Sequence, residues 1–295
     1  KWDWCISRQR YFGVPIPVWY HKETGEVILP DESELPVDPT EYTPKGYSPD
    51  ELIPDSDVMD TWMTSSLSPM IGAGLAHEFD VNDPIEHPSL YPSSLRPQAF
   101  EIIRTWLFYT VTKSWYHHRA LPFTDVMISG HGLDQKGRKI SKRLGNYTPP
   151  EQIIQQFGAD ALRFWATGTT LGENIRYNED EVAKGKKTTT KLFNAARFLE
   201  MHLHDFDHTH TPQLEASDQW ILDQLNQTIE KSSQGFETYE YFQARMATDD
   251  FFWKLFTDNY LEFVKYRLYD DSPEAQKSRK AAQYTLYTVL LTLIK

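Results

Sequence analysis

The chain has 295 residues, of which 40% are apolar and 24% are charged, a composition typical of an ordinary globular protein long enough for two domains. Acidic residues outnumber basic ones by 42 to 30, and the formal net charge of −12 argues against nucleic-acid binding by the average surface, although a local basic face can lie on an acidic body. The single cysteine excludes a disulfide framework and a cysteine-built zinc site, and the lack of a membrane-length apolar run or signal-peptide pattern predicts a cytoplasmic protein.

The first third of the chain predicts extended segments and loops followed by a helix. Residues 1–20 are rich in aromatic and β-branched residues, and their two prolines favour extended backbone. Residues 21–57 are rich in Pro, Glu, Asp and Thr and predict an irregular surface excursion, and a second Pro-rich loop is expected at residues 83–97. A helix is predicted from Pro97 to about residue 117, because apolar residues follow this proline at helical spacing.

The middle of the chain predicts a strand, a loop and two short helices. Residues 126–128 are strand-like, and a loop rich in Gly and Lys continues from them. Thr148 is expected to cap a helix that Gly158 ends, and another helix is expected from Asp160 to about Thr167. This order is typical of the edge of a nucleotide-binding α/β sheet.

The remainder predicts an all-helical region. We place a domain boundary near residue 172, so that an α/β nucleotide-binding half-domain covers residues 1–172 and a helical bundle covers residues 173–295. The expected helices span about residues 179–204, 216–234, 238–269 and 274–294.

The most informative segment is a basic loop at residues 134–146. At the carboxyl end of a strand, such a loop would hold several cations above the crevice where α/β sheets bind ligands. Cations there can stabilise the charge that develops on a phosphoryl group. On charge alone, a solvated basic turn is the commoner explanation. The cations of the loop are Lys136, Arg138, Lys139, Lys142 and Arg143.

The string Lys-Ile-Ser-Lys-Arg at residues 139–143 resembles the KMSKS signature of the class I aminoacyl-tRNA synthetases, and about thirty residues around it match the family's context. The resemblance implies that Lys139 and Lys142 contact the phosphates of ATP and stabilise the transition state of adenylation, with Ser141 also in the ATP site. Ile140 keeps an apolar residue where the family has Met. Arg143 replaces a Ser, a larger change that is expected to alter closure of the loop.

Residues 4–17 resemble the segment by which the valine, isoleucine and leucine members of this family re-enter the catalytic domain after their editing domain. From the residues alone the segment is an amphipathic strand and turn. Within it we expect Trp4 and Phe12 to be core-packing residues. Cys5 is likewise expected to be buried, because it lies between Trp4 and Ile6; a catalytic thiol would need an exposed setting and a partner His.

Two further motifs carry the implied substrate contacts. Residues 57–66 resemble the family's D-T-W-F-S-S segment, which implies that Trp62 lines the amino-acid pocket with Asp60 nearby; without the resemblance, Trp62 would be read as a core aromatic. Residues 96–106 resemble the helix start that receives the ATP ribose, which implies a ribose contact for Glu101. Here Ala99 replaces the family's Gly and Glu101 its Asp, and an interaction of Glu101 with the helix dipole is an equal alternative.

In the helical region, residues 191–198 resemble a family helix of the form Lys-Leu-Trp-Asn-Ala-x-Arg-Phe. The resemblance implies a place near tRNA for Lys187, Lys191 and Arg197, against the usual explanation of a solvated helix face. Four histidines at residues 202–210 are expected to belong to a polar linker rather than to a metal site, because no cysteine accompanies them.

The resemblance implies a Rossmann-like half-domain followed by an incomplete anticodon-binding bundle. Residues 104–106 and 171–176 favour the valine members of the family, with valine, ATP accompanied by Mg²⁺, and tRNA(Val) as substrates and no structural zinc. An isoleucine or leucine member and a non-catalytic tRNA-binding paralogue stay open as alternatives. The chain has no starting Met, no HIGH motif and no editing domain, so we expect an excised or incomplete chain that is inactive by itself.

Overall fold

The computed structural model describes residues 3–74 and 88–295, so residues 83–87 of the second predicted loop lie outside the described part. By internal contacts the chain divides into two units, Lys1–Met127 and Ile128–Lys295. The boundary predicted near residue 172 separates an α/β half-domain from a helical bundle, whereas this division follows internal contacts. The predicted boundary therefore stays a prediction. Within the described residues, no helix has both the length and the apolar character that a membrane crossing requires.

The first unit contains short strands. β1 pairs with β5 in an antiparallel ladder, and β2 lies between β3 and β4 in an antiparallel three-stranded sheet. β6 leads through a helical segment to β7, with which it pairs. The strands are β1 (Ser7–Arg8), β2 (Trp19–His21), β3 (Val27–Ile28), β4 (Leu52–Pro54), β5 (Val58–Met59), β6 (Ser93–Ala99) and β7 (Phe123–Ser129).

The irregular excursion predicted for residues 21–57 is wrong in part, because this stretch completes the three-stranded sheet. Trp19, Ile28 and Leu52 form a small buried core on the sheet. The Trp19 indole N–H donates to the carbonyl oxygens of Pro39 and Tyr42, at 3.0 and 3.2 Å, which fixes the loop between the strands. Strands of two or three residues are too short to establish a periodic pattern, so the sequence did not reveal them.

The helix predicted to begin at Pro97 begins three residues later, and that prediction was wrong at its start. Pro97 lies within β6, where Arg96 and Gln98 on either side of it are buried. This alternation has the period of a strand, and a proline is compatible with a strand as well as with a first helical turn. Helical structure begins with a 3₁₀ turn at Phe100–Ile102, followed by a π-helical turn at Ile103–Leu107.

The other helices of the first unit are short. α1 (Thr61–Ser65) follows β5, α2 (Ser68–Gly74) follows α1, and α3 (Phe108–His118) continues the helical segment after β6. Arg119 ends α3 in the left-handed region, with φ of 53°. β7 then includes the strand predicted at residues 126–128, which is confirmed.

In the second unit, β8 (Gly132–Leu133) pairs in parallel with β9 (Ile175–Arg176). Between them lie α4 (Pro150–Phe157) and α5 (Ala159–Ala166), separated by Gly158 at φ of +94° as the sequence predicted. Thr148 was wrongly predicted as the cap of α4. The cap is Pro149, and Pro150 takes the first helical position, where a missing N–H removes no helical hydrogen bond.

The predicted helical region is confirmed, with one difference. The helix expected at residues 238–269 is a continuous helical run in which a π-helical stretch, Phe251–Tyr260, separates two α-helices, Tyr241–Asp250 and Leu261–Tyr269. Apolar side chains from four α-helices of this region and from the π-helical stretch pack into one core, including Leu199, Ile221, Phe256 and Leu286. The helices are α6 (Glu179–His202), α7 (Ala216–Glu237), α8 (Tyr241–Asp250), α9 (Leu261–Tyr269) and α10 (Gln276–Ile294).

An ion pair lies inside this helical core. Asp218 on α7 is 0% exposed, and both of its carboxylate oxygens accept hydrogen bonds from the Arg267 guanidinium at 2.8 Å. The Tyr260 hydroxyl donates to the same carboxylate at 2.6 Å, and the Arg267 Nε donates to the Ser278 hydroxyl at 2.8 Å. The network therefore ties α7, the π-helical stretch, α9 and α10 to one buried carboxylate.

Candidate functional site

The predicted phosphate loop is a hairpin whose first strand is fixed by β9. The main-chain N–H of Ile175 donates to His131 O at 2.9 Å, and that of Tyr177 donates to Leu133 O at 2.8 Å. Gly130, at the end of β7, approaches β9 so closely that a Cβ added to it would overlap the carbonyl of Glu173. The hairpin therefore starts from an anchored strand, and a glycine is required at its base.

The hairpin turns back on itself at Gly137, whose φ of +78° favours glycine. Leu133 forms an antiparallel bridge with Lys139, and the Asp134 N–H donates to Arg138 O at 2.8 Å. A short 3₁₀ turn, Lys142–Leu144, follows and ends at Gly145. Lys139 and Lys142 thus lie on two consecutive pieces of one ordered loop, and both are exposed.

A polar cluster closes the hairpin, and we call Asp134, Arg138 and Asn146 the hairpin clasp. Asp134, only 8% exposed, accepts from the main-chain N–H groups of Lys136 and Arg138 at 2.9 and 2.8 Å. Its other oxygen accepts from Arg138 Nε and from Asn146 Nδ2, both at 2.9 Å. The hydrogen bond from Asn146, followed by that from the Arg138 main chain, holds the pKa of Asp134 well below its usual range, so this carboxylate is ionised.

Asn146 connects the clasp to the main chain beside both lysines. Its Oδ1 accepts from the Ser141 N–H at 2.9 Å, and its Nδ2 donates to Lys139 O at 3.1 Å as well as to Asp134. Ser141 in turn caps the 3₁₀ turn, its hydroxyl accepting from the Arg143 N–H at 3.2 Å. The contact described for Ser141 is therefore a local one, and its place in an ATP site stays a prediction.

A cavity of about 480 Å³ lies against the hairpin within the second unit. The hairpin contributes Ile140 and Asn146 to its wall, and the helices and β9 region contribute Ile153, Trp165 and Tyr177. Its lining combines aromatic and aliphatic side chains with the polar clasp, a mixture common in small-molecule sites.

In the first unit, Asp60 and Trp62 lie together at the start of α1. Asp60 is buried and caps the helix, its Oδ1 accepting from the Trp62 N–H at 2.7 Å. The other carboxylate oxygen is paired with the Arg8 guanidinium on β1. Trp62 is half-buried. Asp60 thus fixes the turn that carries Trp62 and connects it to the neighbouring strand.

Glu101, also in the first unit, lies in the first turn of the helical segment after β6 and is exposed. Ala99 precedes this turn with extended backbone, at φ −81° and ψ 156°. A carboxylate at this end of a helix is close to its unsatisfied N–H groups, where the helix dipole favours negative charge. Both explanations given for Glu101 from the sequence are therefore still available.

Two packing predictions for the segment at residues 4–17 were wrong. Cys5 is exposed and lies before β1, whose residues Ser7 and Arg8 pair with β5. Hydrogen bonds with Ser7 lower the pKa of its thiol. Phe12 is 85% exposed, whereas the next residue, Gly13, lies so close to Val58 that an added Cβ would overlap its side chain. Trp4, half-buried, does pack: its ring stacks on Tyr109 with centroids 3.8 Å apart.

The three cations expected near tRNA lie on α6 and have different surroundings. Lys187 and Arg197 are exposed. Lys191 is half-buried, pairs with Asp258 at 2.6 Å and lies 4.0 Å from the centre of the Trp253 ring. Lys191 therefore also holds α6 against the π-helical stretch, which the sequence did not predict.

Sequence reasoning identified the lysines of the hairpin but not the residues that hold them. Asp134 and Asn146 are twelve positions apart, and they stand at the two ends of the basic loop as its only carboxylate and its only asparagine. Their positions at the two ends of the loop were the one feature of the sequence that could have indicated a contact between them. It pointed to a closed loop only once the turn at Gly137 was known.

Comparison with known proteins adds independent information. A family model described as tRNA synthetases class I (I, L, M and V) matches residues 1–178, and a model described as the anticodon-binding domain of tRNA ligase matches residues 218–295. Among curated relatives, the valine–tRNA ligases of Rickettsia typhi and Orientia tsutsugamushi are 43% and 46% identical over 100% of this chain. The chain spans only 38% and 36% of their lengths.

Solved structures agree on the fold. The ternary complex LeuRS–tRNA–LeuAMS from Agrobacterium radiobacter covers 99% of this chain with a TM-score of 0.76, at 22% identity and over 39% of its own length. Mycobacterium tuberculosis methionyl-tRNA synthetase in complex with methionyl-adenylate covers 80% with a TM-score of 0.63, at 17% identity and over 47% of its length. These likenesses confirm the predicted fold class, a Rossmann-like half-domain followed by a helical bundle.

Proposed function

Since the chain belongs to the class I tRNA synthetase family, we propose that it is the segment of a valine–tRNA ligase that carries the ATP-phosphate loop and the first anticodon-binding helices. In this proposal the complete protein converts valine and ATP to valyl-adenylate and pyrophosphate, then transfers the valyl group to tRNA(Val). The choice of valine is supported by the names of relatives that match the whole chain at 42–46% identity.

One observation carries the proposal: an ordered hairpin presents two exposed lysines, Lys139 and Lys142, at the two lysine positions of the family's signature. In adenylation the α-phosphate is attacked by the carboxylate of the amino acid, and negative charge moves onto the leaving pyrophosphate. Two ammonium groups held near that pyrophosphate stabilise the transition state more than the ground state, which is how a cation accelerates such a step. The protein contributes position and charge and forms no covalent bond.

The remaining substrate contacts come from the first unit. The half-buried indole of Trp62 offers a flat apolar wall to a branched aliphatic side chain, and Asp60 holds the turn that carries it. The exposed carboxylate of Glu101 can accept hydrogen bonds from ribose hydroxyls. Ser141 would contribute to ATP binding indirectly, by holding the loop main chain that its hydroxyl caps.

Magnesium enters this proposal only as the ion that accompanies ATP and neutralises part of its phosphate charge. Across residues 3–74 and 88–295 there is no group of three or more His, Cys, Asp or Glu side chains arranged to hold a metal ion. We therefore derive no step from a metal ion held by this chain.

For the tRNA, we propose that the exposed face of α6 with Lys187 and Arg197 lies near the phosphate backbone, and that Lys191 adds to it. Support comes from the match of residues 218–295 to the anticodon-binding model, which begins shortly after this helix. The cytoplasmic location belongs to the same proposal, because a tRNA ligase acts where its tRNA is.

The decisive experiment is ATP–pyrophosphate exchange by the complete protein, with valine, isoleucine and leucine supplied separately. We expect valine-dependent exchange, and the double variant Lys139→Ala, Lys142→Ala is expected to lose about 100-fold or more in its rate, as when a charge-stabilising donor is removed. Lys136→Ala is the matched control, because it removes an exposed lysine from the same hairpin.

Each alternative gives a different result in that assay. An isoleucine or leucine ligase would exchange with its own amino acid rather than with valine. A non-catalytic paralogue would bind tRNA but show no exchange with any of the three. A double lysine variant that exchanges at the parental rate contradicts the role given to the hairpin.

A further inference from the structure

We propose that Asp134 and Asn146 are positioning residues that fix Lys139 and Lys142 relative to each other, so that the two ammonium groups act on one phosphate group as a pair. This inference rests on the proposed function and deepens it. It concerns side chains whose hydrogen bonds go to the loop main chain and to each other.

The first step of the argument is where Asn146 acts. Its amide contacts the carbonyl of residue 139 and the N–H of residue 141, on either side of Ile140. Ser141 then caps the turn in which Lys142 is the first residue. One side chain therefore determines the backbone path between the two lysines.

The second step is what holds Asn146. Its Nδ2 donates to the Asp134 carboxylate at 2.9 Å, and that carboxylate is fixed by two main-chain N–H groups and by the Arg138 guanidinium. Asp134 itself follows β8, which is paired with β9. A continuous chain of hydrogen bonds thus runs from the anchored strand to the segment between the lysines.

The third step is chemical. An asparagine amide has one oxygen that accepts and one nitrogen with two hydrogens to donate, and here all three contacts are used. An aspartate at position 146 could still accept from the Ser141 N–H. It would, however, place a second carboxylate oxygen against Asp134 and a lone pair against Lys139 O.

Loss of the clasp would leave both lysines in the chain but free the loop that carries them. Cations that sample many positions stabilise a developing charge poorly, because the protein must then order them during the reaction. The maximal rate should fall, whereas binding of valine in the other unit should not change.

The test uses the complete protein and steady-state ATP–pyrophosphate exchange. We expect Asn146→Ala to lower kcat by about 10- to 100-fold, while the KM for valine and the melting temperature stay at parental values. Asn146→Asp and Asp134→Asn should each be at least as damaging. Asn226→Ala, an exposed asparagine on α7, is the matched control.

The positioning role is overturned if Asn146→Ala keeps kcat within about twofold of the parent. It is also overturned if the lost activity is accompanied by a lower melting temperature and a raised KM for valine, since a general structural role predicts that pattern. If Lys139→Ala with Lys142→Ala abolishes exchange while Asn146→Ala is silent, only this inference fails. If the double lysine variant is itself silent, the proposed function fails.

Discussion

Replacing the buried carboxylate of the helical core tests the energetics of this fold directly. In the variant Asp218→Asn, the Arg267 guanidinium stays buried at 2% exposure but loses the carboxylate that accepts hydrogen bonds from two of its nitrogens. The carboxylate of Glu215 lies 3.7 Å from the Arg267 guanidinium and is 44% exposed. An amide nitrogen would also face a guanidinium nitrogen, so two donors would meet without an acceptor.

The expected loss in the free energy of unfolding is about 3–5 kcal/mol, the range found when one partner of a buried ion pair is removed. That is a large share of the roughly 5–15 kcal/mol that stabilises a typical domain. Urea unfolding of the chain, followed by circular dichroism at 222 nm, measures it. Asp223→Asn is the matched control, since Asp223 is an exposed aspartate on the same helix and should change stability by less than about 0.5 kcal/mol.

A further variant separates the ion pair from the packing around it. Asp218→Leu combined with Arg267→Met removes both charges, and it should be more stable than Asp218→Asn because neither partner is left buried alone. The reasoning is refuted if Asp218→Asn unfolds at the same urea concentration as Asp223→Asn.

The same pair predicts a dependence on pH. Burial by itself would raise the pKa of Asp218, but hydrogen bonds from Arg267 and Tyr260 outweigh it and lower the pKa. The folded-state pKa is thus below the unfolded value of about 3.9, so the stabilisation is fully present above that value and is lost as pH falls through the folded-state pKa. Below about pH 4 the parent should therefore lose stability faster than Asp218→Asn does.

Two further variants test the two units separately. Gly130→Ala should destabilise the chain by about 1–3 kcal/mol in urea unfolding, because its Cβ would overlap the Glu173 carbonyl. The control Gly132→Ala should be nearly neutral, since its Cβ would meet only the Ile140 side chain, at 3.7 Å. Equal effects of the two variants would show that β9 does not restrict the base of the hairpin. Trp62→Ala in the complete protein should raise the KM for valine by about 10- to 100-fold and leave the KM for ATP unchanged in pyrophosphate exchange, and an unchanged KM for valine would remove Trp62 from the amino-acid pocket.

The sequence predicted those parts of the fold that repeat over many residues. The helices of the second unit were found because apolar residues such as Leu225 and Val264 recur over several turns. The strands β2, β3 and β4 were not, because two or three residues cannot establish a period. At Pro97 the pattern was present but ambiguous, since proline fits a strand and a first helical turn equally well.

The candidate site was predictable in its charges but not in its supports. The roles proposed for Lys139 and Lys142 rest on a short string of residue types, which the sequence shows directly. The clasp of Asp134 and Asn146 depends on a turn that brings residues twelve apart into contact, and this geometry is not encoded in any local pattern. For Cys5 the error was the reverse: its apolar neighbours in sequence suggested burial, but its side chain is exposed.

The number of residues in the π-helical stretch Phe251–Tyr260, as well as their type, determines which side of α9 faces the other helices. A π-helix closes its hydrogen bonds one residue later than an α-helix, so it advances more residues for each turn around the axis. Ten residues wound as an ordinary α-helix would rotate α9 about its own axis and carry Arg267 away from Asp218. Deleting one residue from this stretch would therefore rotate α9 about its axis and separate Arg267 from Asp218. The length of the stretch is constrained for the same reason as the two buried charged residues that it aligns.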